Sequence, residues 1–171
     1  LLEQVVMRNP DYAPAWALLA HAYRITTNSP SLVNGSVEEL RRVVNEVLPK
    51  AEMAAQRANQ LDPNLSDGYF ALGEINDARG RLLLAEDLYS KALGVDPGNT
   101  DVLYTYSALL ARVGRIKEAV AMKERLKVLE PFVPVFIGNG ALVSWVNGQT
   151  DAAIAMLKTL PEGSGQRAFS L

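Results

Sequence analysis

The chain carries one histidine, His21, and no cysteine, so few of its residues are of types that do chemistry. A zinc site draws three or four ligands from Cys, His and carboxylates, and His21 without cysteines or a second histidine cannot assemble an ordinary one. As a general base, His21 would need a nucleophile or an acid fixed beside it, and the local sequence supplies neither. Glu74 and Asp77 stand three residues apart, which sets two carboxylates on one helical face, as in an acid–base pair. Such a pair needs burial to separate its pKa values, so the expectation here is solvated charge. The segment GSGQRA, from Gly163 to Ala168, spells the dinucleotide pattern G-x-G-x-x-A. That fingerprint requires a strand before it and a helix after it, whereas a helical hairpin precedes this one, and its glycines are expected to form a turn. Asn34-Gly35-Ser36 and Asn64-Leu65-Ser66 are glycosylation sequons by spelling, with nothing that implies secretion in a eukaryote. The chain is therefore expected to be non-enzymatic, with no metal and no cofactor.

Composition narrows the partners. Of 171 residues, 49% are hydrophobic and 21% charged, with 17 basic and 19 acidic side chains spread along the chain. That balance builds a core, and no apolar run approaches the ~20 residues that span a bilayer. No basic stripe is present to hold nucleic acid or anionic lipid. The lack of cysteine removes disulfides and is compatible with the cytoplasm, the compartment expected for it.

The positioning framework is visible in a fixed spacing. Alanines recur at Ala51, Ala85, Ala119 and Ala153, each 34 residues from the next. Acid-proline pairs at Asp62-Pro63, Asp96-Pro97 and Glu130-Pro131 keep the same step, as do Gly80, Gly114 and Gly148. Three landmarks in one register are the signature of stacked helical hairpins. Counted from Ser66, the second unit has Tyr69, Leu72, Gly73, Ala85, Tyr89, Ala92 and Pro97 at positions 4, 7, 8, 20, 24, 27 and 32. Small residues at 8, 20 and 27 let two antiparallel helices approach, and large ones at 4, 7 and 24 fill the space between them.

On these residues the chain resembles the tetratricopeptide repeat family over nearly its whole length. The resemblance implies an all-α, right-handed superhelical solenoid of helix-turn-helix hairpins in a single repeat domain. Residues 1–12 would end a preceding repeat, 13–65 form repeat one, 66–99 repeat two, 100–133 repeat three and 134–162 repeat four, with 163–171 starting another. Repeat one is interrupted: Pro63 follows Pro10 by 53 residues, 19 more than a period, and the insertion falls at about 26–48. TTNSPSLVNG is turn-rich, and Ser36-Val37-Glu38-Glu39 forms a capping box that opens an extra helix, with Val37, Leu40, Val44 and Val47 along one face. Pro49 then suits the first turn of the second hairpin helix. In repeat three, Lys123 and Leu126 occupy slots where the family prefers an aromatic and an alanine, which predicts a more open hairpin. In repeat four, Gly138 and Gly140 weaken the first helix by roughly 1 kcal/mol each.

In this family the first helices of successive hairpins line a concave face. The resemblance therefore implies a protein-binding groove of Ala17, His21 and Arg24 from repeat one, Asp67, Phe70, Glu74 and Asp77 from repeat two, Asp101, Tyr104, Ala108 and Arg112 from repeat three, and Leu142 and Trp145 from repeat four. Aromatics beside arginine and carboxylates suit a peptide, a helix or a partner domain. Equally, Phe70, Tyr104 and Trp145 could serve to pack neighbouring repeats. The lysine/asparagine clamp by which some members hold C-terminal carboxylates is absent, because the matching slots hold Ala17, His21, Phe70 and Tyr104. More narrowly, YAPAWALLAHAY, the insertion before VLPKAEMAAQRANQLDP, and LEPFVPVF resemble repeat arrays of bacterial class III adenylate cyclases and of TolB-like or winged-helix regulators. The implied role is an interaction scaffold regulating a larger signalling protein. The alternative is a homo-oligomerisation module, since open repeat ends present apolar faces.

Overall fold

The computed structural model describes residues 1–27 and 36–160, and all its regular elements are helices. They divide into two compact units, Leu1–Pro97 and Gly98 onward. GSGQRA, most of the turn-rich insertion and two residues of the Asn34 sequon lie outside the described residues.

The first unit contains α1 (Leu2–Arg8), α2 (Ala13–Thr26), α3 (Val37–Leu61), α4 (Ser66–Ala78) and α5 (Leu82–Val95). Helices α2 and α3 form one hairpin and α4 and α5 the next, with α4 packed on both α2 and α3. Their core is rich in alanine: Ala15, Ala20, Ala51, Ala54, Ala55 and Ala71 are buried with Val6, Leu19 and Ile75. Small side chains bring helix axes close, and the large side chains then fill the gaps between layers. Gly73 shows how tight this becomes, because a Cβ there would lie 2.4 Å from Tyr89 Cε1. Tyr23 donates a hydrogen bond to Glu3, tying α2 to α1, and that bond with partial burial holds the phenol pKa up at about 12.

The added helical turns in repeat one are present, and they are continuous with the second hairpin helix. The Ser36 side chain accepts from the Glu39 amide at 3.1 Å, and the helix it opens runs 25 residues to Leu61 with Pro49 inside it. Pro49 does not start a new helix. Its side is exposed to water, where the carbonyl one turn back can be solvated, while Leu40, Val44, Val47, Leu48 and Ala51 continue one apolar stripe beneath it. Val37, expected on that stripe, is exposed.

The second unit contains α6 (Thr100–Arg112), α7 (Ile116–Leu129), α8 (Pro134–Val146) and α9 (Thr150–Lys158). The pairs α6/α7 and α8/α9 are hairpins, and α7 packs on α8. Val102, Leu103, Leu109, Leu110, Ala119 and Leu126 are buried among them. Asn99 caps α6, its side chain accepting from the Val102 amide at 3.1 Å. Gly140 permits close packing of α8 on α9, since a Cβ would meet Met156 Cε at 2.7 Å.

The recurrent glycine has one physical cause at all three positions. Gly80, Gly114 and Gly148 have φ of 73°, 82° and 80°, in the left-handed region. After each, the next amide reaches back to close a six-residue loop, as Arg81 N to Asn76 O, Arg115 N to Leu110 O and Gln149 N to Ser144 O, each 2.9 Å. This is the Schellman ending of a helix, and it satisfies carbonyls that the helix leaves free.

Candidate functional site

In the first unit, His21 and Arg24 project from one face of α2, and Phe70 and Glu74 from one face of α4. Helical spacing of three and four residues aligns each pair, and the packing of α2 on α4 brings the pairs together. His21 Nδ1 lies 2.6 Å from Glu74 Oε2, and Arg24 Nη2 lies 3.3 Å from Oε1. A carboxylate only accepts, so Nδ1 carries the proton. Glu74 is 6% exposed, while the His21 side chain keeps 38% of its surface. Glu74 was expected as solvated groove charge; it is instead a buried carboxylate bridged by two cationic-type donors, the condition under which a buried charge is tolerated. Asp77 is half-buried three residues on, so the two carboxylates do not share one environment.

His21 also differs from expectation, because an acid does stand beside it, 53 residues away in sequence. The pair orients the imidazole. Phe70 lies under it, with ring centroids 5.9 Å apart and planes 27° from parallel, and touches Tyr89 on its other side at 6.1 Å. Phe70 and Ala17 are buried, and Asp67 is exposed. Phe70 therefore supports His21 from below and offers little surface of its own.

In the second unit, Asp101, Ala108, Arg112, Leu142 and Trp145 are exposed, Trp145 at 60%, and Tyr104 is half-buried. Three neighbours of Tyr104 give it a structured setting. Asn139 Nδ2 donates to the Tyr104 hydroxyl at 2.7 Å and to Val135 O at 3.0 Å. Phe136 packs at 5.1 Å between centroids. Lys123 from α7 sets Nζ over the Tyr104 ring, 4.2 Å from its centroid. Burial pushes the Tyr104 phenol pKa up and pushes that of Lys123 down to about 8. The hairpin does not open at the two unusual slots: Lys123 and Leu126 are both buried. The family pattern marks position 24 as an inward slot, which was the available signal for Lys123; nothing in the sequence marked Asn139.

Among the described residues no group of three or more His, Cys, Asp or Glu could hold a metal ion, and no helix is long and apolar enough to cross a membrane.

No family model matches the chain. Over 83 residues it is 39% identical to the cellulose synthase operon protein C of Xanthomonas axonopodis pv. citri, a match covering 48% of this chain and 5% of that protein. The chain thus spans a small fraction of the curated relative it matches. Its fold is similar to a thermophilic TPR protein of Thermus thermophilus, with TM-score 0.67, 17% identity, and coverage of 98% of this chain and 84% of the other. MamA aligns with TM-score 0.63 at 16% identity over 92% and 81% of the two chains. The Cut9 and Hcn1 hetero-tetramer structure aligns with TM-score 0.65 at 14% identity over 92% and 26%. These likenesses show the fold: the chain is built of tetratricopeptide-type helical hairpins.

Proposed function

We propose that the chain is a non-enzymatic protein-interaction scaffold that holds a peptide, a helix or a partner domain on the first-helix faces of its hairpins. The observation that carries this is the positioned His21, held by buried Glu74 and seated on Phe70 on the first helices of the first unit; in the second unit, taken by itself, the first helices carry Tyr104 and exposed Trp145. Rigid aromatic and amphipathic side chains, fixed before binding, lose little entropy on contact and make good anchors. The sequence resemblance supports a finer reading, in which these repeats are the cytoplasmic regulatory part of a larger bacterial signalling protein such as an adenylate cyclase. The match to a cellulose synthase operon protein supports a bacterial setting of another kind.

Peptide-display selection on the whole chain tests the binding role, followed by titration of recovered peptides against His21→Ala, Tyr104→Ala and Trp145→Ala. At least one variant should weaken binding tenfold or more while its helical circular dichroism is unchanged. Failure to recover a peptide, or equal binding by all folded variants, refutes the placement.

A second reading, self-association, rests on Leu142, Trp145, Val146 and Ile154, all exposed apolar residues of α8 and α9. Light scattering over a concentration series should then show mass rising with concentration, and a monomer throughout counts against it.

A further inference from the structure

Among the described residues, Lys123 is a cation without a counter-ion. It is 6% exposed, and its Nζ has no hydrogen-bond partner among them. A buried, unpaired ammonium is costly, and a structure that keeps one commonly gives it a role. The groups facing it are few. From α6 comes the Tyr104 ring, and the other ionisable α6 side chains, Asp101 and Arg112, are exposed apart from buried Tyr106. Helix α8 has no ionisable residue between Pro134 and Val146. On α7 itself Glu124, Arg125 and Lys127 point to water.

The Tyr104 hydroxyl completes the arrangement. It accepts a hydrogen bond from Asn139, which fixes the oxygen and leaves its own proton to be donated. A cation against the ring face makes a phenol a stronger donor, and the half-buried setting lowers the dielectric around both. Asn139 spends both amide hydrogens, on Tyr104 and Val135, so it positions the phenol and does not compete for a ligand.

We propose that the Tyr104 hydroxyl, backed by the Lys123 ammonium and held by Asn139, is a seat for a carboxylate of a bound peptide. This rests on the peptide-binding reading above and names the chemistry its second unit selects. A carboxylate accepts from the Tyr104 O–H and supplies the negative charge that Lys123 lacks. The family's lysine/asparagine clamp is not involved, since the cation here comes from a second helix.

The test uses the whole chain with 13C-labelled lysine and follows the Lys123 methylene signals through a pH titration. Three probes separate the sources of the carboxylate: acetyl-Gly-Glu-Gly-amide, acetyl-Gly-Gly-Gly with a free C-terminus, and acetyl-Gly-Gln-Gly-amide as the neutral control. A bound carboxylate should raise the Lys123 midpoint by about one pH unit, and its affinity should then fall about tenfold once the lysine is deprotonated. The Gln probe should do neither. Response to the Glu probe assigns the seat to an acidic side chain, and response to the free acid alone assigns it to a chain terminus. Tyr104→Phe should weaken carboxylate binding, and Lys123→Met, which fills the slot without charge, should abolish the preference over the Gln probe. The proposal is overturned if the Glu, free-acid and Gln probes leave the midpoint alike, or if Lys123→Met keeps the preference. Selected peptides that need Tyr104 yet show no preference for acid would sink the seat and leave the scaffold standing. A carboxylate that moves Lys123 when selection yields no peptide would do the reverse.

Discussion

Replacing Lys123 with methionine should stabilise the protein at neutral pH, and its effect should fade as the solution is made alkaline. Methionine has nearly the same length, no charge, and suits an irregular apolar slot. Burial pushes the lysine pKa from the usual 10.5 to about 8. At about 1.4 kcal/mol per unit, that shift corresponds to a ceiling of about 3 kcal/mol for holding the ammonium inside. Attraction to the Tyr104 ring and local relaxation offset part of it, leaving a net gain of about 1–3 kcal/mol for Lys123→Met at pH 7. The sign follows from proton counts. Below pH 7 both folded and unfolded chains hold the lysine proton, and the folded state bears the cost. Between about pH 8 and 10.5 the unfolded chain keeps a proton that the folded one has lost, so wild-type stability rises with pH through that window. Urea unfolding of both proteins at pH 7 and pH 9.5, followed by helical circular dichroism, gives four free energies. The advantage of Lys123→Met should shrink by about 1 kcal/mol or more between the two pH values. Tyr23, remote from the substitution, is common to both chains and cancels in the difference. Parallel pH dependences, or a variant less stable than wild type at pH 7, would refute a charged, buried, unpaired Lys123.

Other substitutions probe the packing around the sites. Gly73→Ala forces a methyl to within 2.4 Å of the Tyr89 ring and should cost about 2 kcal/mol or more in chemical unfolding, whereas an alanine in open helix would gain stability. Glu74→Ala strands Arg24 and removes the carboxylate that His21 faces; a loss of about 3 kcal/mol is expected by thermal melting, with shifted His21 ring signals by NMR. Pro49→Ala restores a backbone donor inside a continuous helix and should raise stability by about 1–3 kcal/mol in the same melt. Gly114→Ala places a Cβ on a residue with φ of 82° and should cost about 1 kcal/mol by urea titration.

The period carried most of the fold, because its landmarks are set by local geometry that each repeat must solve alone. Ala51, Ala85, Ala119 and Ala153 are all buried where two helices meet, and the three glycines all end a helix in the left-handed region. Helices α4, α6 and α8 begin at Ser66, Thr100 and Pro134, one period apart. Pairings between hairpins were not legible. The bridge from Glu74 to His21 spans 53 residues, and no spacing rule announces it. Phe70 stood equally as a groove anchor and as packing between repeats, and stacking between His21 and Tyr89 covers it. Pro49 was overvalued as a boundary: one lost hydrogen bond on a wet face weighs less than an unbroken apolar stripe. Lys123 and Leu126, departures from the aromatic and alanine the family prefers, suggested an opened hairpin where the structure buries both, the amine against an aromatic face.

Helix α3 is long enough to have two thermodynamic characters. At 1.5 Å per residue its 25 residues extend about 37 Å, against about 21 Å for the 14 residues of its partner α2. From Leu48 to Ala58 it is anchored by five buried side chains, but from Val37 to Val47 no apolar residue is buried: Val37 is exposed, and Leu40, Val43, Val44 and Val47 are only partly covered. The outer turns therefore draw their order chiefly from the Ser36 cap and from continuation of the inner ones. They should exchange amide hydrogens far sooner than the rest, so that one helix behaves as a fixed post with a hinged extension, able to melt or reform without disturbing the repeat that carries it.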